Sequence, residues 1–405
     1  MRIGLVTPFN PAAFPDRLGP DVPQLHRGAT AVHILAEELL AQGHELTVFT
    51  SYPGAGSVRE WKDRRTEDGT RPAQGSLRVI AVPRSGSLPL PGKRLAVARR
   101  LRKVLAPEIG NLDVLHAQWT YDYALAAGAF AKRIPTFCSV RDWAPLQLQM
   151  QTAWDGRLYW LQSLYISRKV LKNKHIRFIA NSQYTKDCLL QDDPAKEVIL
   201  LPNPIRKATI LQERTWYPEH PVLVSVCQSI DARKNIGTLL EAFRRYRKER
   251  PEAELHLGGN DCVEGHPKLA PWKDLMEGVH LHGWLDRDAL NDLLDKASVM
   301  VLPSLEETFG NVLLEGMARR VAVVGGRDSG AVPDVLGQGK YGILCDVRDP
   351  EDLCRALHSA ERREQVDAAT AYILREYASD RIAQKQVEIY RFFVAEAPQD
   401  DKSLG

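Results

Sequence analysis

Residues 298–317, SVMVLPSLEETFGNVLLEGM, decide how the chain is read. VMVLP is apolar, carries β-branched residues and is stopped by Pro303, the pattern of a short buried strand. SLEETFG is a polar turn, and NVLLEGMA takes up helical spacing. Strand, turn and helix in that order put the turn at the carboxyl edge of a parallel sheet, where open α/β folds bind ligands. Two carboxylates punctuate the stretch, Glu307 in the turn and Glu315 on the helix, with seven residues between them. The free amides of Phe309, Gly310 and Asn311 at the helix start suit a phosphate or sugar hydroxyls, and Gly310 lets a ligand approach the backbone. An ordinary strand-to-helix turn with two solvated acids would share the pattern.

The whole chain frames that stretch. At 405 residues it is long for one domain and comfortable for two. The balance of 54 basic and 51 acidic residues is too even to argue for a nucleic-acid binder. Six cysteines are scattered, with no Cys-x-x-Cys pair and no His/Cys cluster at zinc spacing, so they read as reduced thiols. No apolar run approaches membrane-spanning length, and the chain enters a strand at once without a signal peptide. A cytoplasmic protein is the expectation.

ETFGNVLLE, with VLPS before it, resembles the Glu-x7-Glu signature of the retaining, nucleotide-sugar-dependent glycosyltransferases of family 4. That resemblance implies an α/β fold of the GT-B type: two Rossmann-like domains facing across a cleft, with a C-terminal helix crossing back to the N-terminal domain. The expected division is an acceptor domain over 1–205, a polar linker over 206–220, a donor domain over 221–379, and a returning helix and tail over 380–405. It gives Glu307 the donor sugar and Glu315 the ribose hydroxyls, with Thr308, Phe309, Gly310 and Asn311 also on the donor side. A nucleoside diphosphate sugar is then the co-substrate and no separate cofactor is expected. No aspartate-rich motif is present, so no metal is expected in catalysis.

The first half alternates strands and helices. RIGLVTPF is a strand, Pro8 to Gln24 a proline-rich loop, and ATAVHILAEELLAQGHE a helix capped at Gly43, leading into the strand ELTVFTS. GHELTVFT is similar to a family segment whose preceding loop carries a glycine pair near the donor phosphates. Here that loop reads His26-Arg27-Gly28, so Gly28 alone is kept; Arg27 would supply charge, or both His26 and Arg27 are solvated. In PGKRLAVARRLRKVLAPE, Leu95, Leu101, Val104 and Leu105 make an apolar set beside Arg99, Arg100, Arg102 and Lys103. The helix is either core-facing with a solvated basic face or docked on anionic lipid, giving a peripheral place at the inner face of a membrane.

DVLHAQWT and IPTFCSVRDWAP are strands running into loops that carry His116, Trp119, Tyr121 and Asp122, then Arg141, Asp142 and Trp143. Both segments resemble family ones, with Arg141 where histidine is usual, and the resemblance makes His116, Arg141 and Asp142 the acceptor side. His116 reads equally as a core histidine at a strand end. Gln147 to Lys174 is helical and aromatic, running into the basic cluster SRKVLKNKHIR.

In the second half, SIDARKN places Arg233 and Lys234 in a loop before a helix, where two cations would neutralise a diphosphate leaving group. It resembles the family's Gly-Arg-x4-Lys loop with Lys234 at the lysine and Gln228-Ser229 in place of glycine and arginine. With Glu307 these form the expected catalytic set. Gly259 and Trp284 match places where the family holds the nucleotide base. The acceptor would be a carbohydrate, a lipid-linked group or a small molecule, as in polysaccharide biosynthesis. Rival readings are a non-catalytic sugar-nucleotide binder and a GT-B epimerase. A dehydrogenase is disfavoured, since no Gly-x-Gly-x-x-Gly follows the first strand.

Overall fold

The computed structural model describes residues 1–26, 28–64, 74–84, 93–150 and 154–396. The first set of strands is β1 (Arg2–Val6), β2 (Glu45–Pro53), β3 (Arg59–Lys62), β4 (Ser76–Arg84), β5 (Val114–Gln118), β6 (Thr136–Val140), β7 (Ile176–Ala180) and β8 (Val198–Leu200). They form one sheet in the order β3-β4-β2-β1-β5-β6-β7-β8, parallel throughout except for β3. The second set is β9 (Val222–Val226), β10 (Glu254–Gly258), β11 (Val279–Leu281), β12 (Val299–Leu302), β13 (Ala322–Gly326) and β14 (Ile343–Cys345). These make an all-parallel sheet in the order β11-β10-β9-β12-β13-β14. The second sheet carries the Rossmann order 3-2-1-4-5-6, and so does the first once the antiparallel β3 and the outer β8 are set aside; the turning points lie between β1 and β5 and between β9 and β12. Two Rossmann-like units therefore make up the chain.

The apolar runs explain the parallel sheets. β5, β6, β12 and β13 are buried at every residue, as strands covered on both faces must be. One unit holds Met1–Asn181, Thr185–Pro204 and Ser379–Gly405, and the other holds Ser182–Tyr184 and Ile205–Ala378. The helix Ser379–Glu396 joins the first unit because Ile382, Ala383, Val387 and Tyr390 enter the same core as Val32, Leu35 and Leu39.

Three local readings change. The proline-rich loop contains short helical turns, Pro11–Ala13 and Pro15–Leu18, each started by a proline whose fixed φ suits the first helical position. The excursion after β2 includes β3, paired antiparallel to β4 and mostly exposed at the sheet edge, which is why its apolar signal is weak. The stretch 206–220 does not hang free: Arg214 donates to the carbonyls of Asp295 and Ala297 at 2.6 and 2.8 Å, and Leu211 N donates to Ala318 O at 2.8 Å. It is packed on the second unit. All six cysteines are buried and unpaired. Among the described residues, no helix is long and apolar enough to cross a membrane.

Candidate active site

In the second unit, the loops after the two central strands deliver the charged residues. After β9 the chain makes a short turn, Ala232–Lys234, in which Asp231 Oδ1 accepts from Lys234 N at 3.1 Å. Asn235 then adopts a left-handed conformation (φ 54°) before the helix Ile236–Arg247. Its side-chain amide donates to Pro303 O at 3.1 Å and Val347 O at 2.7 Å, and Leu305 N donates to Arg233 O at 2.8 Å. These bonds fasten the loop after β9 to the loop after β12.

Across that brace, Lys234 Nζ lies 2.5 Å and Arg233 Nη1 3.3 Å from Glu307 Oε1. Burial alone would push the Glu307 carboxyl up, but the two cations hold it below the usual carboxylate range. Its backbone is fixed as well. Glu307 forms a parallel bridge with Gly330, and its carbonyl accepts from Ala331 N at 2.8 Å. Gly330 has φ +62°, and a Cβ there would stand 2.4 Å from Glu307 O, so no side chain fits.

Gly310, at φ 83°, turns the chain into the helix Asn311–Ala318, which carries Glu315. Burial raises the Glu315 carboxyl to about 7, opposed by the charge of Arg287. Phe309 is 3% exposed and its ring meets that of Tyr377 edge-on, so its side chain belongs to the core. Thr308 is half-buried and Asn311 exposed. At the end of β10, a Cβ on Gly259 would meet Cys227 O at 2.0 Å, while Gly259 N donates to Gly283 O at 2.7 Å. This close backbone approach sets the turn beside Trp284, which is 39% exposed.

The first unit sorts its candidates differently. Gly28, at φ +89°, precedes the helix Thr30–Ala41, and a Cβ there would meet nothing within 4 Å. His26 is not solvated: its Nε2 donates to Ser51 O at 2.5 Å, and burial lowers it to about 4. Arg27 lies outside the described residues. His116 is wholly buried, with Nδ1 2.5 Å from the Tyr390 hydroxyl and Nε2 2.8 Å from Ser139 Oγ. Burial pushes it down to about 3. It ties the C-terminal helix to β5 and cannot reach an acceptor. That corrects its place on the acceptor side: the core-histidine reading is the one the packing supports. Arg141 is half-buried; its Nε donates to Gln118 Oε1 at 2.7 Å and its Nη1 to Asn203 Oδ1. Desolvation lowers its guanidinium to about 10.

Asp142 does line a cavity. About 690 Å³ in volume, it lies beyond the carboxyl ends of β4, β5 and β6 and is walled by Trp119, Tyr121, Tyr123, Tyr159 and Trp160. Tyr121 donates to Asp142 Oδ1 at 2.7 Å. Deeper, Arg94 Nη1 is 3.1 Å from Asp122 Oδ1, and its guanidinium stacks over the rings of Tyr121 and Tyr159 at 4.4 and 4.6 Å. Arg94 was missed from sequence, yet it sits in register with buried Val97, Leu101 and Leu105 on its helix. A cation on an apolar stripe was the available signal. On the same helix, Arg100 and Arg102 donate to the carbonyls of Pro83 and Leu125, both at 2.8 Å. Arg94, Arg100 and Arg102 of this helix are thus tied down.

Comparison with known proteins agrees over both units. Residues 28–208 match the family described as Glycosyltransferase Family 4, and residues 220–361 match Glycosyl transferases group 1. A sulfoquinovosyl transferase of Arabidopsis thaliana is 30% identical over 165 residues, 38% of this chain and 29% of the relative. For three curated relatives the matched stretch spans 28–42% of their own length, less than half of each. Sucrose-phosphate synthase from Thermosynechococcus elongatus superposes with a TM-score of 0.73 over 98% of this chain and 100% of its own, at 17% identity. An Anabaena protein solved with UDP-glucose superposes with a TM-score of 0.65 over 97% of this chain and 100% of its own, at 14% identity. At those identities the likeness is one of fold.

Proposed function

The chain belongs to glycosyltransferase family 4, and on that premise we propose that it transfers a sugar, with retention, from a nucleoside diphosphate sugar to an acceptor hydroxyl. The observation that carries this reading is the Glu307 carboxylate held between Lys234 and Arg233 on the two loops that follow the central strands of the second unit. The bond from the anomeric carbon to the diphosphate oxygen breaks, and the acceptor oxygen bonds to the same face of that carbon. The acceptor proton leaves with the diphosphate. Charge develops on the departing phosphate, and Lys234 and Arg233 stabilise it, aided by the amides at the start of helix Asn311–Ala318. Glu307 holds the sugar through its hydroxyls, and Glu315 holds the ribose. Because cationic side chains meet the leaving group, the step is read as needing no metal.

The cavity of the first unit supports an acceptor with an apolar or ring-shaped face and a few hydroxyls. Aromatic walls supply stacking area, while Asp142, Asp122 and Arg94 supply directed polar contacts. Peripheral contact with anionic membrane, at the inner face of a cytoplasmic membrane, belongs to the same reading. It is supported by exposed Arg168, Lys169, Lys172 and Lys174 beside exposed Trp154, Leu158, Leu161 and Tyr165 on the helix Trp154–Leu171 and just after it.

A panel of nucleoside diphosphate sugars, read by thermal shift and by release of nucleoside diphosphate with and without candidate acceptors, tests the proposal. Acceptor-dependent release is expected. Binding without release under every acceptor would make the chain a non-catalytic binder, and release without any acceptor would make it an epimerase.

A further inference from the structure

Four of the chain's eleven histidines gather at one end of the second sheet, around Glu254. Their convergence follows from strand geometry. Glu254 and His256 are two apart on β10, so both project from one face; His280 and His282 do the same on β11 and just beyond it. His256 and His280 are register partners in the parallel pair, which brings the four side chains onto a single face at the edge of the sheet. The pairing continues past the strand, since His282 N donates to Leu257 O at 3.0 Å.

We propose that Glu254, His256 and His280 form a binding site for a divalent cation of the zinc, cobalt or nickel class. The donor atoms are already spaced for one. Glu254 Oε2 is 3.1 Å from His256 Nε2 and 3.8 Å from His280 Nε2, and one donor atom from each of the three residues falls within 4.8 Å of the others. Ligands about 2.0–2.1 Å from a tetrahedral ion stand about 3.3 Å apart, between those two distances. The set of two imidazoles and one carboxylate selects borderline ions over magnesium or calcium, which prefer oxygen alone.

The surroundings fit the same assignment. His256 Nδ1 lies 2.8 Å from His282 Nε2, so its remaining nitrogen, Nε2, is the one presented to Glu254. A partner on the far ring nitrogen is what orients a ligating histidine. His220 Nε2 lies 3.7 Å from the second oxygen of Glu254. Among the described residues, every ion-pair partner of Glu254 is a histidine, and no lysine or arginine competes for the carboxylate. His280 and His282 are exposed, which gives an ion an entry path. A bound ion would clamp the edge strand β11 to β10 and stiffen the turns that follow at Gly259 and Gly283.

The test uses full-length protein without a polyhistidine tag, stripped with chelator and titrated calorimetrically with zinc and with magnesium; cobalt is followed by its visible absorption. One equivalent of zinc is expected to bind in the micromolar range, with a cobalt band, a raised melting temperature and no magnesium binding. His280→Gln, at an exposed position, should weaken zinc by about tenfold or more and abolish the melting shift, with the metal-free melting temperature unchanged. His256→Ala should do likewise. Absence of stoichiometric zinc binding would overturn the proposal. So would undiminished affinity in both variants, which would place the ion on other residues such as the cysteines.

Discussion

Lys234 Nζ sits 2.5 Å from Glu307 Oε1, although 73 positions separate the two residues and each arrives on the loop of a different strand. Arg233 approaches the same oxygen at 3.3 Å. A diphosphate leaving group in this site would be met by the same two cations that orient Glu307. Lys234→Ala should therefore lower turnover by about a hundredfold or more, the scale for removing one preorganised donor from a developing anion. Arg233 still neutralises Glu307 in that variant, so a shift in melting temperature of only a few degrees is expected. Single-turnover kinetics beside calorimetric melting checks both.

The two glutamates should separate by ligand. Glu315→Ala should weaken nucleoside diphosphate and intact donor alike by about 1.5–3 kcal/mol, the worth of a hydrogen bond to a charged group. Glu307→Ala should leave nucleoside diphosphate affinity nearly unchanged and reduce only binding or turnover of the whole donor. Titration calorimetry of both ligands on both variants reads the pattern. Equal losses of nucleoside diphosphate would break the assignment.

Burial raises the Glu315 carboxyl to about 7, from an ordinary glutamate value of 4.5. A raised folded-state value favours the folded protein while the acid is protonated, and that contribution is lost as pH rises from about 4.5 through about 7. Glu315→Gln, which stays neutral, should gain stability on the order of 1–3 kcal/mol at pH 8 and none at pH 4. Denaturant melts at the two pH values measure this. Nucleotide affinity of the unaltered protein should rise across the same interval as the carboxylate forms, and the glutamine variant should show no such rise.

Arg141 holds Gln118 and Asn203 by side-chain hydrogen bonds. Arg141→Ala removes a donor from two buried amide side chains, and a loss of about 1–3 kcal/mol is expected. If Arg141 also meets an anion, Arg141→His should change acceptor affinity or turnover beyond what its melting temperature explains. Unchanged kinetics in a folded histidine variant would confine Arg141 to bracing these loops.

Membrane contact should show as co-sedimentation with anionic vesicles that weakens as salt rises, because screening shortens to within about 8 Å at physiological ionic strength. Trp154 is 73% exposed, so Trp154→Ser should reduce sedimentation without unfolding the chain. No binding at low or high salt would leave a freely diffusing acceptor.

What the sequence determined by itself was the local grammar. Continuous apolar runs such as VMVLP and IPTFCSV demanded strands buried on both faces, and the strand-helix alternation then demanded parallel sheets. The spacing of Glu307 and Glu315 was legible for the same reason, since one strand, one turn and one helix set it. Tertiary structure decided everything that joins distant segments. Whether His116 faced a ligand or the core depended on Tyr390, 274 positions away, and packing of the last helix put it in the core. Arg94 stands on an apolar helix stripe, and only the fold brings Asp122, Tyr121 and Tyr159 around it. The histidines at 256 and 280 became neighbours only through the register of β10 with β11. Periodicity along a chain reports which face of an element is apolar; it carries no information about which other face arrives to meet it.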